Sequence, residues 1–350
     1  MEPGSAQLHV LVVDDSVVMR RIVARTLERD PAISRTTFAS NGRLALAKLT
    51  ESRPDLVVLD LEMPELDGFG TLAEIRRLDP KLPVVLFSSI DERVATATLE
   101  ALSLGATAFV LKPSAGALAL SEAYVAEHLI PLIKALAAPR EDRPRPRTVR
   151  APSEQPPVTA LVVGVSTGGP DALVTLVNAL PVDLPVPVLI VQHMPPMFTR
   201  LLAERLDRLG GLHVSEAQDG QVVEAGSVYI APGDHHLELR REGQVVHVAL
   251  SDGPPENSCR PAVDVLLRSA VDVYGAGVLA VVLTGMGHDG LRGCQAVRAA
   301  RGQVVVQDPA TAVIGSMPAS VADAGLAHAV LPMDLLVPEL VQRIRGVPGG

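Results

Sequence analysis

Short apolar runs alternate along this chain with longer stretches in which apolar residues recur every three or four positions. LHVLVV (8–13), DLVVLDL (55–61), PVVLF (83–87) and AFVL (108–111) read as buried strands. MRRIVARTLER, GRLALAKLT, FGTLAEIRRL and VATATLEALSLG carry the helical period between them. Strict alternation of this kind predicts an α/β fold, a doubly wound parallel sheet with helices on both faces. A terminal helix near 120–137 contains Pro131, which should kink it or mark its end. Beyond residue 158 the alternation returns, with ALVVGV, PVLIVQ, SVYIAP, VLAVVLT and QVVVQD as strands. HHLELRREGQVVHVAL (235–250) reads as a hairpin turning at Glu242-Gly243, so the second sheet is mostly parallel with a β-hairpin added.

Between the two patterns lies APREDRPRPRTVRAPSEQPP (138–157), rich in Pro and Arg and without either period. It predicts an extended, semi-rigid linker. The chain then divides into a domain over 7–137, the linker over 138–157 and a second domain over 158–345.

Composition narrows the function. Of 350 residues, 47% are hydrophobic but only 2% aromatic, with no Trp, so both cores must be aliphatic. The formal charge is −9. An acidic chain with few stacking platforms argues against a nucleic-acid partner. The N-terminus lacks the basic and apolar regions of a signal peptide, and no apolar run approaches the length of a membrane-spanning helix. The two cysteines, Cys259 and Cys294, have no metal-site spacing and are too few for a disulfide framework. The expectation is a cytoplasmic protein that does not insert into a membrane.

In the first half, polar residues gather at the carboxyl ends of the strands: Asp14 and Asp15, Asp60, Ser88 and Lys112. Ligands bind at that edge of an open parallel sheet. Three carboxylates there repel one another unless a hard cation joins them, and oxygen ligands suit Mg²⁺. A lysine and a hydroxyl beside them suit a transferred phosphoryl group. The plainer alternative, that each aspartate only caps a helix, accounts for one such residue more easily than for the whole set.

LVVDDS, LDLEMPELDG, FSS and LKP resemble the receiver domain of two-component response regulators. The resemblance covers residues 8–125 and implies a five-stranded, flavodoxin-like receiver in which Asp60 accepts a phosphoryl group from a histidine kinase. It further implies that Asp15, Asp60 and the backbone carbonyl of Glu62 hold Mg²⁺, with Asp14 behind them. Ser88 and Phe109 fall at the family's switch positions, and Lys112 pairs with the phosphoryl group.

In the second half, Gly164-Val165-Ser166-Thr167-Gly168 follows an apolar strand and matches G-x-S-x-G, the pattern that exposes a nucleophilic serine on a sharp turn. Such a serine needs a base and an orienting group. The next strand ends in His193, and a later one in GMGHDG with Asp289, all at what should be one sheet edge. The glycines also suit a phosphate loop, but a dinucleotide site wants an acid after the second strand, where Gln192-His193 stands. Ser166 as a simple helix cap is a third reading. His288 is a rival base or a surface histidine. His235 and His236, adjacent on a strand, point to opposite faces and do not make a shared metal site.

GVSTGG, QHMP, APGDHHLEL, RPAVDVL and LTGMGHDG resemble the catalytic domain of the chemotaxis protein-glutamate methylesterase family. The receiver in front and the linker between extend the likeness to nearly the whole chain. The resemblance places a triad on Ser166, His193 and Asp289, an oxyanion donor on the backbone N–H of Met286, and an active-site role on Thr167. It implies a phosphorylation-activated esterase that hydrolyses glutamate methyl esters and deamidates glutamines on chemoreceptors, with the kinase CheA as phosphodonor and no cofactor for hydrolysis. It also implies that the unphosphorylated receiver occludes the active site. This chain departs from the family at His288, usually Asn, at Cys259, usually His, and at Ala262, commonly Ser. Two readings of other classes remain, a non-catalytic phosphorylation-gated binding module and a nucleotide-binding output domain.

Overall fold

The computed structural model describes residues 7–89, 91–113, 118–137 and 155–346. The chain divides into two compact units, 1–139 and 140–350. Most of the expected linker, 138–154, lies outside the described residues.

The first unit alternates strand and helix without interruption: β1 (Leu8–Val13), α1 (Val17–Leu27), β2 (Ile33–Ala39), α2 (Gly42–Glu51), β3 (Leu56–Leu59), α3 (Gly68–Leu78), β4 (Val84–Ser88), α4 (Glu92–Ser103), β5 (Ala108–Leu111) and α5 (Leu118–Ala137). The five strands pair in parallel in the order β2-β1-β3-β4-β5. This order reverses between β1 and β3, which opens a crevice at their carboxyl ends. β1, β3 and β4 are mostly apolar on both faces, as strands of a parallel sheet covered on both sides by helices are. Asn41, Asp67 and Asp91 cap α2, α3 and α4 by accepting backbone N–H bonds.

Two features differ from the pattern. β2, ISRTTFA, was absent from the apolar runs because only its ends, Ile33 and Ala39, are buried; it is an edge strand. Helix α5 continues through Pro131 to Ala137, so the proline does not end it. Leu129, Ile130, Leu132 and Ile133 are buried around it, and that packing outweighs the one helical hydrogen bond that proline removes.

The second unit has a seven-stranded sheet in the order β14-β13-β12-β6-β7-β9-β8, all of its pairs parallel. Its strands are β6 (Ala160–Val165), β7 (Val188–Gln192), β8 (His213–Glu216), β9 (Ser227–Ile230), β12 (Val278–Val282), β13 (Gln303–Gln307) and β14 (Ala329–Leu331). The hairpin β10 (His236–Glu242) and β11 (Val245–Ser251) forms its own antiparallel sheet. Seven-stranded and two-stranded sheets are joined in one apolar core, where Leu237, Leu239 and Val248 meet Leu266 and Ala270 of α8 (Val263–Tyr274). The chain leaves β6 toward β7 on one side and returns to β12 on the other. The topological switch point therefore lies between β6 and β12.

Candidate active site

The turn after β6 is built by its glycines. A Cβ on Gly164 would collide with the Val263 side chain at the start of α8. Gly168 has φ +79 and caps helix α6 (Gly169–Ala179) without any side-chain hydrogen bond, a conformation glycine adopts at little cost. Ser166 is thus not the helix cap. Its backbone fixes it instead: the N–H donates to Thr284 O at 2.9 Å, and its carbonyl accepts from Gly169 N at 2.8 Å and Gln192 Nε2 at 3.0 Å. Thr167 is held through its carbonyl, which accepts from Thr284 Oγ1 at 2.8 Å.

His193 follows β7, and its N–H donates to Val165 O at the end of β6. Its Nε2 lies 2.9 Å from Asp289 Oδ2. Asp289 is buried, and four other donors immobilise it: the N–H groups of Val263, Asp264 and Gly290 and the Nδ2 of Asn257, at 2.7–3.0 Å. The first two open helix α8, so the carboxylate sits where the helix presents free N–H groups and positive potential. Burial pushes the Asp289 pKa up, but the His193 contact and the backbone donors outweigh it and hold it below the ordinary value.

The second ring nitrogen, Nδ1, faces Cys259 Sγ at 3.6 Å. Burial lowers the His193 pKa, and its hydrogen bonds to Asp289 and Cys259 more than reverse this, pushing it up to about 9. Cys259 is delivered by a tight turn in which Glu256 and Cys259 exchange backbone hydrogen bonds. The central residues Asn257 and Ser258 have φ +53 and +62, the pairing of left-handed residues that closes two-residue hairpins. Arg268 grips Glu256 through two hydrogen bonds of 2.9 and 2.6 Å. The same turn points Asn257 Nδ2 between Asp289 and the buried Asp264, 3.0 Å from the latter. The nucleophile-elbow pattern gives no hint of Asn257 or Cys259 as neighbours of the imidazole. Their only local signal is the polar run ENSCR ahead of the apolar helix.

The loop after β12 runs beside Ser166. A Cβ on Gly285 would lie 2.8 Å from Ser166 Cβ, and Gly287 N donates to Ser316 Oγ at 3.1 Å. Met286 is exposed in this loop, and so is His288. Asp289, not His288, meets His193. His235 and His236 have separate partners, Asp252 and Pro254 O, and do not converge.

In the first unit the carboxyl ends of β1 and β3 bring Asp14, Asp15 and Asp60 together, with ligating oxygens within 4.8 Å of one another. Lys112 Nζ lies 2.6 Å from Asp60 Oδ2 and 2.8 Å from Asp14 Oδ2. Burial raises the Asp60 pKa to about 6 against the pull of Lys112, with Asp14 adding repulsion. One ammonium thus pairs with the two buried carboxylates, Asp15 lies beside them, and hard oxygen donors so arranged fit Mg²⁺. Glu62 N donates to Asp60 Oδ1 at 3.3 Å. The buried Ser88 hydroxyl lies 3.0 Å from Thr98 Oγ1 on α4 rather than on Asp60. Phe109 stands on β5, opposite Leu86.

Comparison with known proteins assigns both parts of the chain to families. The CheB methylesterase family matches residues 161–340, and the response regulator receiver domain family matches 10–122. A protein-glutamate methylesterase/protein-glutamine glutaminase of a Nocardioides species is 48% identical, covering 96% of this chain and 95% of that protein. The protein of the same name from Trichodesmium erythraeum is 45% identical, covering 97% and 99%. The crystal structure of the Thermotoga maritima CheB methylesterase catalytic domain is 43% identical with a TM-score of 0.52, covering 53% of this chain and 98% of that one. Among the described residues, no helix is long and apolar enough to cross a membrane.

Proposed function

This chain belongs to the CheB methylesterase family, with a receiver domain ahead of its methylesterase domain, and from that premise we propose that Ser166, His193 and Asp289 hydrolyse γ-glutamyl methyl esters on chemoreceptors. The observation that carries the reading is the His193 imidazole, held at Nε2 by an Asp289 that four further donors fix in place. With Nε2–H donating to Asp289, the lone pair falls on Nδ1, and that nitrogen acts as the base. Ser166 Oγ gives its proton to Nδ1 as it attacks the ester carbonyl, and the backbone N–H of Met286 steadies the developing oxyanion. The proton passes to the departing methanol. Water then gives a proton to Nδ1 and attacks the acyl-enzyme; the acyl C–Oγ bond breaks, Nδ1 returns the proton to Ser166 Oγ, and the receptor's glutamate side chain is freed. A glutamine side chain follows the same course with ammonia as the leaving group. Catalytic hydrogen bonds often tighten only with substrate bound, which accommodates a serine that does not yet meet its base.

Asp60 is the phosphoacceptor in this reading, and CheA the histidine kinase that supplies it. Asp15, Asp60 and the carbonyl of Glu62 would hold Mg²⁺, with Asp14 behind; the ion supplies charge neutralisation to the incoming phosphoryl group. Lys112 would move from the carboxylates to the phosphoryl oxygens, and Ser88 would leave Thr98 to meet them, with Phe109 following. The added charge of about −1.5 to −2 biases the two arrangements. The unphosphorylated receiver restrains the esterase, and the 138–157 segment links the 7–137 and 158–345 domains.

The test is methanol release from methylated receptor, with and without acetyl phosphate and Mg²⁺. Ser166→Ala should abolish release; substantial residual release overturns the triad. Removing residues 1–137 should raise basal release, and an unchanged or lower rate overturns restraint by the receiver.

A further inference from the structure

Cys259 makes the esterase cluster chemically unlike a plain serine triad. A thiol, an imidazole and a carboxylate bring ligating atoms within 4.8 Å of one another. The geometry points to a second property of this cluster: Cys259 Sγ and His193 Nδ1 form a reversible binding site for Zn²⁺, with Asp289 orienting the imidazole, and occupancy shuts off ester hydrolysis. The inference rests on the reading of His193 as the base.

Three observations support it. The Sγ–Nδ1 separation is 3.6 Å. Bonds of about 2.3 Å to sulfur and 2.0–2.1 Å to nitrogen, meeting at a tetrahedral zinc, set the two ligand atoms roughly 3.5 Å apart. The ion therefore fits between atoms already in place. Next, the far ring nitrogen bonds Asp289, the outer carboxylate contact that metal-bound histidines commonly keep, which fixes the ring and raises its basicity. Asp289 is itself immobilised by Val263, Asp264, Gly290 and Asn257, so no rearrangement is needed to present Nδ1. Finally, Cys259 is partly exposed, so the cluster is not sealed inside the core.

The proton balance is simple. The Cys259 thiol and the Nδ1–H of the imidazolium each release a proton to solvent, sulfur–zinc and nitrogen–zinc bonds form, and zinc occupies the Nδ1 lone pair that would have taken the Ser166 proton. Two protein ligands complemented by water make a reversible site rather than a structural one. Ligand softness separates this cluster from the oxygen-only set of Asp14, Asp15 and Asp60. Thiolate and imidazole select zinc, whereas carboxylates suit Mg²⁺.

The experiment uses the full chain with Mg²⁺ in excess. One equivalent of Co²⁺ should give a thiolate-to-cobalt charge-transfer band in the near ultraviolet, which Zn²⁺ displaces and Cys259→Ser lacks. Zn²⁺ should abolish methanol release, and a chelator should restore it. Cys259→Ser, measured against its own zinc-free rate, should be insensitive. No band, a band that persists in Cys259→Ser, or undiminished zinc inhibition of that variant overturns the site. A band without loss of methanol release overturns its inhibitory role. The band requires no turnover, so a Ser166→Ala protein that still releases methanol would defeat the esterase assignment while the metal site stands.

Discussion

Cys259 Sγ lies 3.6 Å from His193 Nδ1, on the one ring nitrogen that Asp289 leaves free. The imidazole is therefore flanked by two groups able to carry negative charge. Both favour the imidazolium, against burial, and together they push the His193 pKa up to about 9. A base must be neutral, so on the proposed reading this arrangement trades reactivity near neutral pH for a firmly placed ring.

The first prediction concerns the pH dependence. The folded His193 pKa stands above the ordinary imidazole value of 6.5. Its contribution to stability is then complete below 6.5 and is lost as pH rises through about 9. Ester hydrolysis runs the opposite way, rising over the same window as Nδ1 loses its proton. Cys259→Ala removes one of the two partners, so the rising limb of kcat/KM should move to lower pH. A pH–rate profile of the two proteins checks this. An unmoved limb would show that Cys259 does not bear on the base.

Asn257 presents a second case. Its amide bridges Asp289 and Asp264, both buried. Burial, the largest influence, raises the Asp264 pKa, and the charge of Asp289 adds to it. Asn257→Ala removes a donor from each carboxylate and brings solvent or repulsion in its place. Asp289 keeps its other four donors, but Asp264 Oδ2 loses its Asn257 partner; one buried acceptor left unsatisfied costs about 1–3 kcal/mol, so urea denaturation should show a loss of that order. The kcat for ester hydrolysis should fall with it, while KM changes little, because Asp289 is reached through position rather than substrate contact. A variant with full stability and full kcat would remove Asn257 from the positioning of Asp289.

The contrast between these residues and the proposed triad explains what was legible in the chain. Asp14, Asp60, Ser166 and His193 each follow a run of buried aliphatic residues, so a local pattern announces both the strand and the polar residue at its end. β2 and β8 lack that signal. ISRTTFA and HVSE lie at sheet edges and bury only part of their residues, and β14 has just three. Position 164 needs glycine because Val263, about a hundred residues away in the chain, packs against it. The Cys259–His193 contact depends on a turn anchored by Arg268 and on α8 starting beside Asp289. Those are tertiary relationships, and no spacing within ENSCRPAVDV encodes them.

The final prediction tests the charge balance of the receiver cluster. Lys112 is the cation paired with both Asp14 and Asp60, whose side chains are 2% and 6% exposed. Removing one partner of a buried ion pair costs about 3–5 kcal/mol when the remaining charge stays. Here Asp60, with its pKa raised by burial to about 6, can relieve part of that cost by taking a proton. Lys112→Met should therefore lower the melting temperature of the receiver at neutral pH. On the proposed reading Mg²⁺ binds the folded carboxylate cluster and not the unfolded chain, and so stabilises by mass action. With Lys112 gone, the ion no longer competes with an ammonium for the same oxygens, and the Mg²⁺-induced rise in melting temperature should be larger in Lys112→Met than in the parent protein. Thermal melts of both proteins across a Mg²⁺ series decide the matter. An equal or smaller rise in the variant would show that Lys112 and the metal do not share Asp14 and Asp60.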